Sequence, residues 1–460
     1  MGGVAVNINS INAGLKRLLT INRLPAALTV TPDVDSHLHH YRIDAGEDEK
    51  SRVHLRLDPD GHGTLIVNAN RIMHLNPTAA LMTYFVLEKT PEAEAIKTIC
   101  RRYHVHANQA RDDLRAISSQ LSDLIRPDGA CPIHDLELEI VAPFSARPTA
   151  PYRMDLALTY RCNNDCHHCY NARERNFPEL SMHEWKQVLD KTWAVGIPHV
   201  IFTGGEPTLM SGLPELIAHA EANGQITGLN TNARRLADMS FVERLVDAGL
   251  DHVQITVESC DADIHNDMVN ARAFEQTIQG LKNALASKLF VMTNTTMLRD
   301  NVSSIPATLD FLSDLGVVTI GLNALIHSGH GAKVGTGLPE RELMPLLEIA
   351  RQKTNMRGQR LIWYTPTQYC GFDPQALDLG VKGCTAALYN MCVEPNGDVL
   401  PCQSYYTPLG NILQDDWNGI WNHDLAVNLR ERKGTPEKCN GCGLLAECGG
   451  GCPLQFANPG

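Results

Sequence analysis

The stretch Arg161-Cys-Asn-Asn-Asp-Cys-His-His-Cys-Tyr170 places Cys162, Cys166 and Cys169 directly after a segment that alternates like a β-strand. Three close thiolates are one short of a closed four-ligand site. A cubane [4Fe–4S] cluster held by three cysteines keeps one iron free to bind something else. A zinc ion with His167 or His168 as fourth ligand fits the same residues.

The surrounding chain alternates regularly between β and α patterns. Strands are expected near 154–159, 199–203, 225–230, 251–257, 289–295 and 317–323, and helices near 181–195, 213–222, 240–248, 272–286 and 304–315. Ser181 and Glu184 form a capping box before Trp185, Val188, Leu189 and Trp193. Such alternation builds a parallel sheet with right-handed crossovers. Six units rather than eight predict an α/β fold with a partial, open (β/α)6 TIM-like barrel. In barrels of this class the chemistry lies at the C-terminal strand ends. The suggestive residues fall there. The cysteine loop follows the first strand, and Gly204, Gly205, Glu206 and Pro207 follow the second. Asn230, Thr231 and Asn232 follow the third, and Thr256 and Glu258 end the fourth. The two glycines permit close backbone approach to a ligand, and Glu206 offers a carboxylate to an ammonium group.

The C-x-x-x-C-x-x-C spacing with His168 before the last Cys, followed one unit later by Gly204-Gly-Glu-Pro207, resembles the signature of the radical S-adenosylmethionine (SAM) superfamily. The resemblance implies that Cys162, Cys166 and Cys169 hold a [4Fe–4S] cluster whose free iron chelates SAM. An electron from the cluster then cleaves SAM to a 5′-deoxyadenosyl radical. It also implies that Gly204–Pro207 binds the methionyl amino group. Asn230, Thr231, Asn232 and Thr256 become candidate SAM contacts, although strand-end capping accounts for them equally well.

A second cysteine group lies between 384 and 452. Cys384 is followed by Gly397 and Cys402, with Pro395-Asn-Gly-Asp398 reading as a hairpin turn. Then come Cys439-x-x-Cys442, Cys448 and Cys452. This order resembles the SPASM extension of radical SAM enzymes, which holds auxiliary [4Fe–4S] clusters. Carried over, Cys384, Cys402 and Cys452 would bind the first, with Cys392 or Cys370 as the fourth ligand. Cys439, Cys442 and Cys448 would bind the second, leaving an open or non-cysteine position, because the family's further downstream Cys does not occur before Gly460. A four-cysteine zinc knuckle over 439–452 fits the same spacing. Sulfatase-maturing relatives place an acid after the Cys matching Cys402; here it is Gln403, which cannot act as a base. The catalytic acid or base stays unassigned.

Toward the N-terminus, residues 1–51 are weakly patterned and read as an extension. Residues 52–127 read as three strands (53–57, 64–67, 71–75) and then three helices, a winged-helix-like unit. The stretch from His74 to Val105 resembles the PqqD-like module called the RiPP recognition element. In that family an edge strand pairs with the leader of a precursor peptide. A structural winged helix without a ligand is the alternative. Residues 128–153 are proline-rich and read as a linker, 154–345 as the barrel, 346–383 as a bridging region and 384–460 as the Cys-rich SPASM domain.

The charge of −12, from 40 basic and 52 acidic residues, argues against nucleic acid as a partner. No apolar run suits a bilayer, and no signal-peptide pattern opens the chain. Fourteen cysteines in such a chain favour metal ligands over disulfides and a cytoplasmic setting. Taken with the resemblance, the expectation is a radical SAM peptide maturase. It would use SAM, its cluster and one or two auxiliary [4Fe–4S] clusters, with a precursor peptide and a reducing partner such as flavodoxin or ferredoxin. A cofactor-biosynthesis enzyme and a non-catalytic Fe–S or zinc peptide-binding scaffold are the alternatives.

Overall fold

The computed structural model describes residues 38–44, 50–68, 71–125, 148–171 and 178–457. Most of the extension expected over 1–51 and of the linker expected over 128–153 lies outside these residues. The chain forms two compact units, residues 1–149 and 150–460.

The first unit is a four-stranded antiparallel meander of β1 (Leu38–Asp44), β2 (Lys50–Leu57), β3 (Gly63–Val67) and β4 (Arg71–Leu75), in that order. Helices α1 (Pro77–Leu87), α2 (Glu92–Tyr103) and α3 (Ala107–Ile125) follow. Asn76 caps α1 by accepting from the Ala79 amide at 2.9 Å, and Pro77 takes the first helical position, where no amide is needed. Leu55, Leu65, Ala80, Ile99 and Ala110 are fully buried between sheet and helices. The sequence reading placed three strands here, in a winged-helix-like unit; the meander has four. The added strand, β1, lies inside the expected extension and pairs with β2 from Leu38 opposite Arg56 to Asp44 opposite Lys50. Its His-rich sequence lacks a clean apolar alternation, so only the pairing with β2 reveals it.

The second unit is built on an open ten-stranded sheet. Seven parallel strands lie side by side in chain order: β5 (Arg153–Thr159), β6 (His199–Gly204), β7 (Ile226–Thr231), β8 (His252–Thr256), β9 (Phe290–Thr296), β10 (Thr319–Asn323) and β11 (Arg360–Trp363). The first six are those expected from the sequence. The intervening helices include α4 (Met182–Ala194), α5 (Leu213–Asn223), α6 (Met239–Asp247), α7 (Ala262–Met268), α8 (Phe274–Leu285) and α9 (Ile305–Asp314). Ser181 and Glu184 form the expected capping box at the start of α4. Helix α10 (Glu340–Met356) leads to β11, so the region expected to bridge two domains supplies a further β/α unit.

On its other side β5 receives β12 (Asn390–Val393) in parallel, and β13 (Asp398–Leu400) and β14 (Gly410–Asn411) continue antiparallel. The turn between β12 and β13 is the expected Pro-Asn-Gly-Asp hairpin, with Glu394 N bonded to Asp398 O at 2.8 Å. Strand β6 is buried along its whole length, as a strand covered on both faces must be. Among the described residues no helix is long and apolar enough to cross a membrane.

Candidate functional site

Because β5 to β10 run parallel, their C-terminal ends share one edge of the sheet, and the chain's unusual residues gather there. The loop after β5 carries Cys162, Cys166 and Cys169. It is fastened at several points. Asp165 N and His167 N bond to Val269 O and Met268 O, each at 3.0 Å, at the C-terminal end of helix α7. Arg234 donates to Asn163 O and, at 3.0 Å, to Asn164 Oδ1. Asn232 reaches Asn163 Oδ1 at 2.6 Å. A loop after β10 closes from another side: His330 N bonds to Cys169 O at 2.9 Å and its Nδ1 meets Cys166 O at 3.0 Å. Sequence reasoning did not mark Arg234 or His330. The run Ser328-Gly-His-Gly331, just past a strand's C-terminal end, was the available signal.

Burial pushes the Cys162 thiol up to about 11, helped by the charges of Glu206 and Cys169. The Cys166 thiol is pushed well above its usual value, first by burial and then by Cys169, Glu258 and Cys162. Cys162 and Cys166 therefore feel each other and Cys169, and burial disfavours the charged form of both. That donor set fits an iron–sulfur cluster, which supplies the charge and prefers thiolate. Among the described residues no group of three or more His, Cys, Asp or Glu side chains is drawn together as tightly as a single metal ion needs. A cubane, with one thiolate on each of several irons, spreads its ligands more widely.

Gly204 has φ +132°, and a Cβ there would stand 2.2 Å from Thr159 O. A Cβ on Gly205 would stand 2.5 Å from Arg161 O. Both glycines let the β6 end lie directly on the backbone that opens the cysteine loop, with Gly205 N bonded to Thr159 O at 2.7 Å and Glu206 N to Arg161 O at 2.9 Å. Glu206 is 1% exposed. Its Oε1 accepts from Thr208 Oγ1 at 2.6 Å, Thr208 N at 3.1 Å and Thr231 Oγ1 at 2.7 Å, and its Oε2 from Asn232 N at 2.8 Å. Burial raises its pKa while these donors pull it down. The carboxylate thus ties the β6 end to the β7 end. Pro207 is buried in the short turn that follows. Asn230 is half-buried one residue before Thr231, in register with Gln254, and Thr256 ends β8 in register with Asn294.

Glu258, fully buried just past β8, has a larger part than its sequence position suggested. Its Oε1 lies 2.9 Å from His168 Nε2, and its Oε2 accepts from Thr296 N at 2.8 Å. Burial pulls the His168 pKa down, but the Glu258 charge and hydrogen bond outweigh it and raise it. The His168 Nε2 is turned to this carboxylate, while its Nδ1 is buried without a hydrogen-bond partner.

In the C-terminal region Cys384, Cys402 and Cys452 come together. Burial first, then the Cys384 and Cys452 charges, push up the Cys402 thiol. The Cys452 thiol is pushed up to about 12 by burial and by Cys384. Cys392 sits instead in a small apolar cluster with Ala157 and Leu400. Cys439 has Cys448, Cys370 and Cys442 as its thiol neighbours. Two side chains join this region to the first cysteine loop: Tyr170 donates to Gln403 Oε1 at 2.9 Å, and Tyr406 donates to Tyr170 O.

The family model of the radical SAM superfamily matches residues 156–312, that of the SPASM iron-sulfur cluster-binding domain residues 384–443, and that of coenzyme PQQ synthesis protein D residues 54–124. The PqqA peptide cyclase of Xanthomonas campestris pv. campestris is 28% identical over 322 residues, covering 66% of this chain and 82% of the relative. The Fe-coproporphyrin III synthase of Methanosarcina barkeri is 26% identical over 326 residues, covering 64% and 81%. Among solved structures, Streptococcus suis SuiB bound to its precursor peptide SuiA superposes with a TM-score of 0.66 at 18% identity, over 88% of this chain and 94% of that one. The fold is therefore shared with SuiB. The chain thus carries, in order, a segment matching PqqD, one matching the radical SAM superfamily and one matching the SPASM domain.

Proposed function

We propose that this protein is a radical SAM peptide maturase that modifies a ribosomally made precursor peptide by abstracting hydrogen from a C–H bond. The observation that carries the reading is the joining, in one chain, of a PqqD-type meander to a three-thiol loop at the open sheet edge. The bound cluster and SAM supply the radical chemistry. The protein's residues do the rest. Cys162, Cys166 and Cys169 hold the cluster, leaving one iron for SAM. Gly204–Pro207, with Asn230, Thr231, Asn232 and Thr256, shape the pocket beside it. Cys384, Cys402 and Cys452 hold one auxiliary cluster, and Cys439, Cys442 and Cys448 contribute to another. The meander ends in two edge strands, β1 and β4, and a leader peptide adds to one of them by main-chain pairing. The electron comes from a flavodoxin or ferredoxin in the cytoplasm, where the free thiols found at the described cysteines are kept reduced.

The test uses anaerobically reconstituted protein, SAM, a reductant and short precursor peptides encoded beside its gene. The expected result is 5′-deoxyadenosine together with a mass change in one peptide. A chain lacking residues 1–149 should keep SAM cleavage and lose modification of the full-length precursor. An undiminished rate in that variant would make the meander structural. The likeness to the M. barkeri synthase favours cofactor biosynthesis as a second reading. Turnover of a porphyrin, with every peptide untouched, would establish it. Stoichiometric zinc with little iron would remove both.

A further inference from the structure

The second group of C-terminal thiols is larger than its spacing in the sequence suggests. The segment 367–371 packs directly on the run that carries Cys448. The Tyr369 amide points at Cys448 Sγ at 3.4 Å, and that thiol in turn faces Thr367 O at 3.5 Å. Gln368 reaches Gln455 at 3.4 Å, and a Cβ on Gly451 would stand 2.8 Å from Gln368 Cγ. A few residues on, Gln375 Nε2 donates to Glu447 Oε2 at 2.6 Å. The segment is thus held against 447–455 along its length. Cys370 is the residue after Tyr369, and it is exposed. Its Sγ lies 3.8 Å from Gln368 Oε1, on the side chain that packs against Gly451. The contact of Tyr369 with Cys448 therefore brings Cys370 beside Cys448, which the short C-x-x-C and five-residue spacings join to Cys439 and Cys442.

We propose that Cys370 is the fourth protein thiolate of the second auxiliary iron–sulfur site, beside Cys439, Cys442 and Cys448. The assignment rests on the iron–sulfur reading above and adds to it. Cys370 stood as an alternative fourth ligand of the first auxiliary site, and the second was expected to have an open or non-cysteine position. Here the second site is closed by a residue from the region just before the SPASM domain. It then has no free iron for a substrate thiol or amide. Its ligands also cross between two parts of the chain, since 370 precedes the whole 384–452 group.

The test is cluster content and spectroscopy on the full chain reconstituted anaerobically with ferrous iron and sulfide. Single variants Cys370→Ala and Cys442→Ala are compared with wild type, with Cys260→Ala as a control outside every thiol group. The expected result is that Cys370→Ala and Cys442→Ala match each other. Each loses about four irons, or each shows the same altered EPR signal, as removal of one ligand of a single cubane requires. Cys260→Ala should resemble wild type. A second measurement avoids substitution altogether. Exposed Cys370 in the loaded wild-type protein should resist iodoacetamide and become alkylated once a chelator strips the iron. Wild-type iron and spectra in Cys370→Ala, with a clear change in Cys442→Ala, would overturn the assignment and leave the iron–sulfur reading standing. Wild-type iron in both variants, or zinc in place of iron in the unsubstituted chain, would overturn the iron–sulfur reading of this segment itself.

Discussion

The phenol of Tyr170 donates to Gln403 Oε1 at 2.9 Å, linking the residue after Cys169 to the residue after Cys402. Sequence reading had Gln403 only as a missing acid. In the structure it is an acceptor that fastens one cysteine loop to another. A neutral hydrogen bond of this kind contributes about 1 kcal/mol. Tyr170→Phe and Gln403→Ala should each destabilise by about that amount, and the double variant by less than the sum, as for a directly coupled pair. Chemical denaturation of all four proteins measures this. Fully additive effects would mean that the bond does not form.

Glu258 and His168 form a buried hydrogen-bonded pair. Removing one partner of such a pair costs about 1–3 kcal/mol, because the other is left buried and unsatisfied. Glu258→Ala also strips Thr296 N of its acceptor. This variant should lose a large part of its denaturation midpoint and reconstitute poorly with iron. Normal stability and iron content would show that the pair does not hold the cysteine loop.

Glu206 accepts four hydrogen bonds with its two oxygens. Glu206→Gln replaces an acceptor by an NH2 group that faces a donor. The expected cost is about 1–3 kcal/mol, the penalty for unsatisfied buried groups. SAM affinity, read by equilibrium dialysis, should fall together with stability. A fall in affinity at unchanged stability would instead point to direct contact between this carboxylate and SAM.

The capping box at α4 gives a pH-dependent term. Hydrogen bonds from the Ser181 side chain and then its backbone hold the Glu184 pKa below the usual value. A depressed folded pKa contributes stability above the unfolded value, and that stability is lost as pH falls through the folded one. Ser181→Ala should cost about 1 kcal/mol near neutral pH. Its difference from wild type should shrink in acid below the ordinary glutamate range. Thermal melts across that range give the comparison, and a difference that grows in acid would contradict the sign.

The six barrel strands and their helices were legible because each carries its own signal. Strands such as β6 are continuous apolar runs, and α4 announces its start with Ser181 and Glu184. The cysteine loops were legible from spacing alone. What escaped was pairing between distant parts of the chain. β1 is found only through β2. β12, the short run Asn390-Met-Cys-Val393, is a strand because Arg153–Leu156 lies beside it. Cys370 likewise read as a candidate fourth ligand of the first auxiliary site, since nothing near it in sequence indicates the 439–448 thiols. Gly204 and Gly205 were read as openings toward a ligand; the structure shows backbone of the preceding loop in that space.

The pairing of β12 with β5 has a consequence for synthesis. β5 carries the first cysteine loop, yet one of its two neighbours arrives only when residues 390–393 have been made. Until then the emerging chain displays an uncovered strand edge next to three reduced thiols, the kind of edge that recruits other chains. Long-range strand closure is also slow compared with local helix formation. Completion of the sheet therefore comes as the 384–452 cysteine group begins to be made.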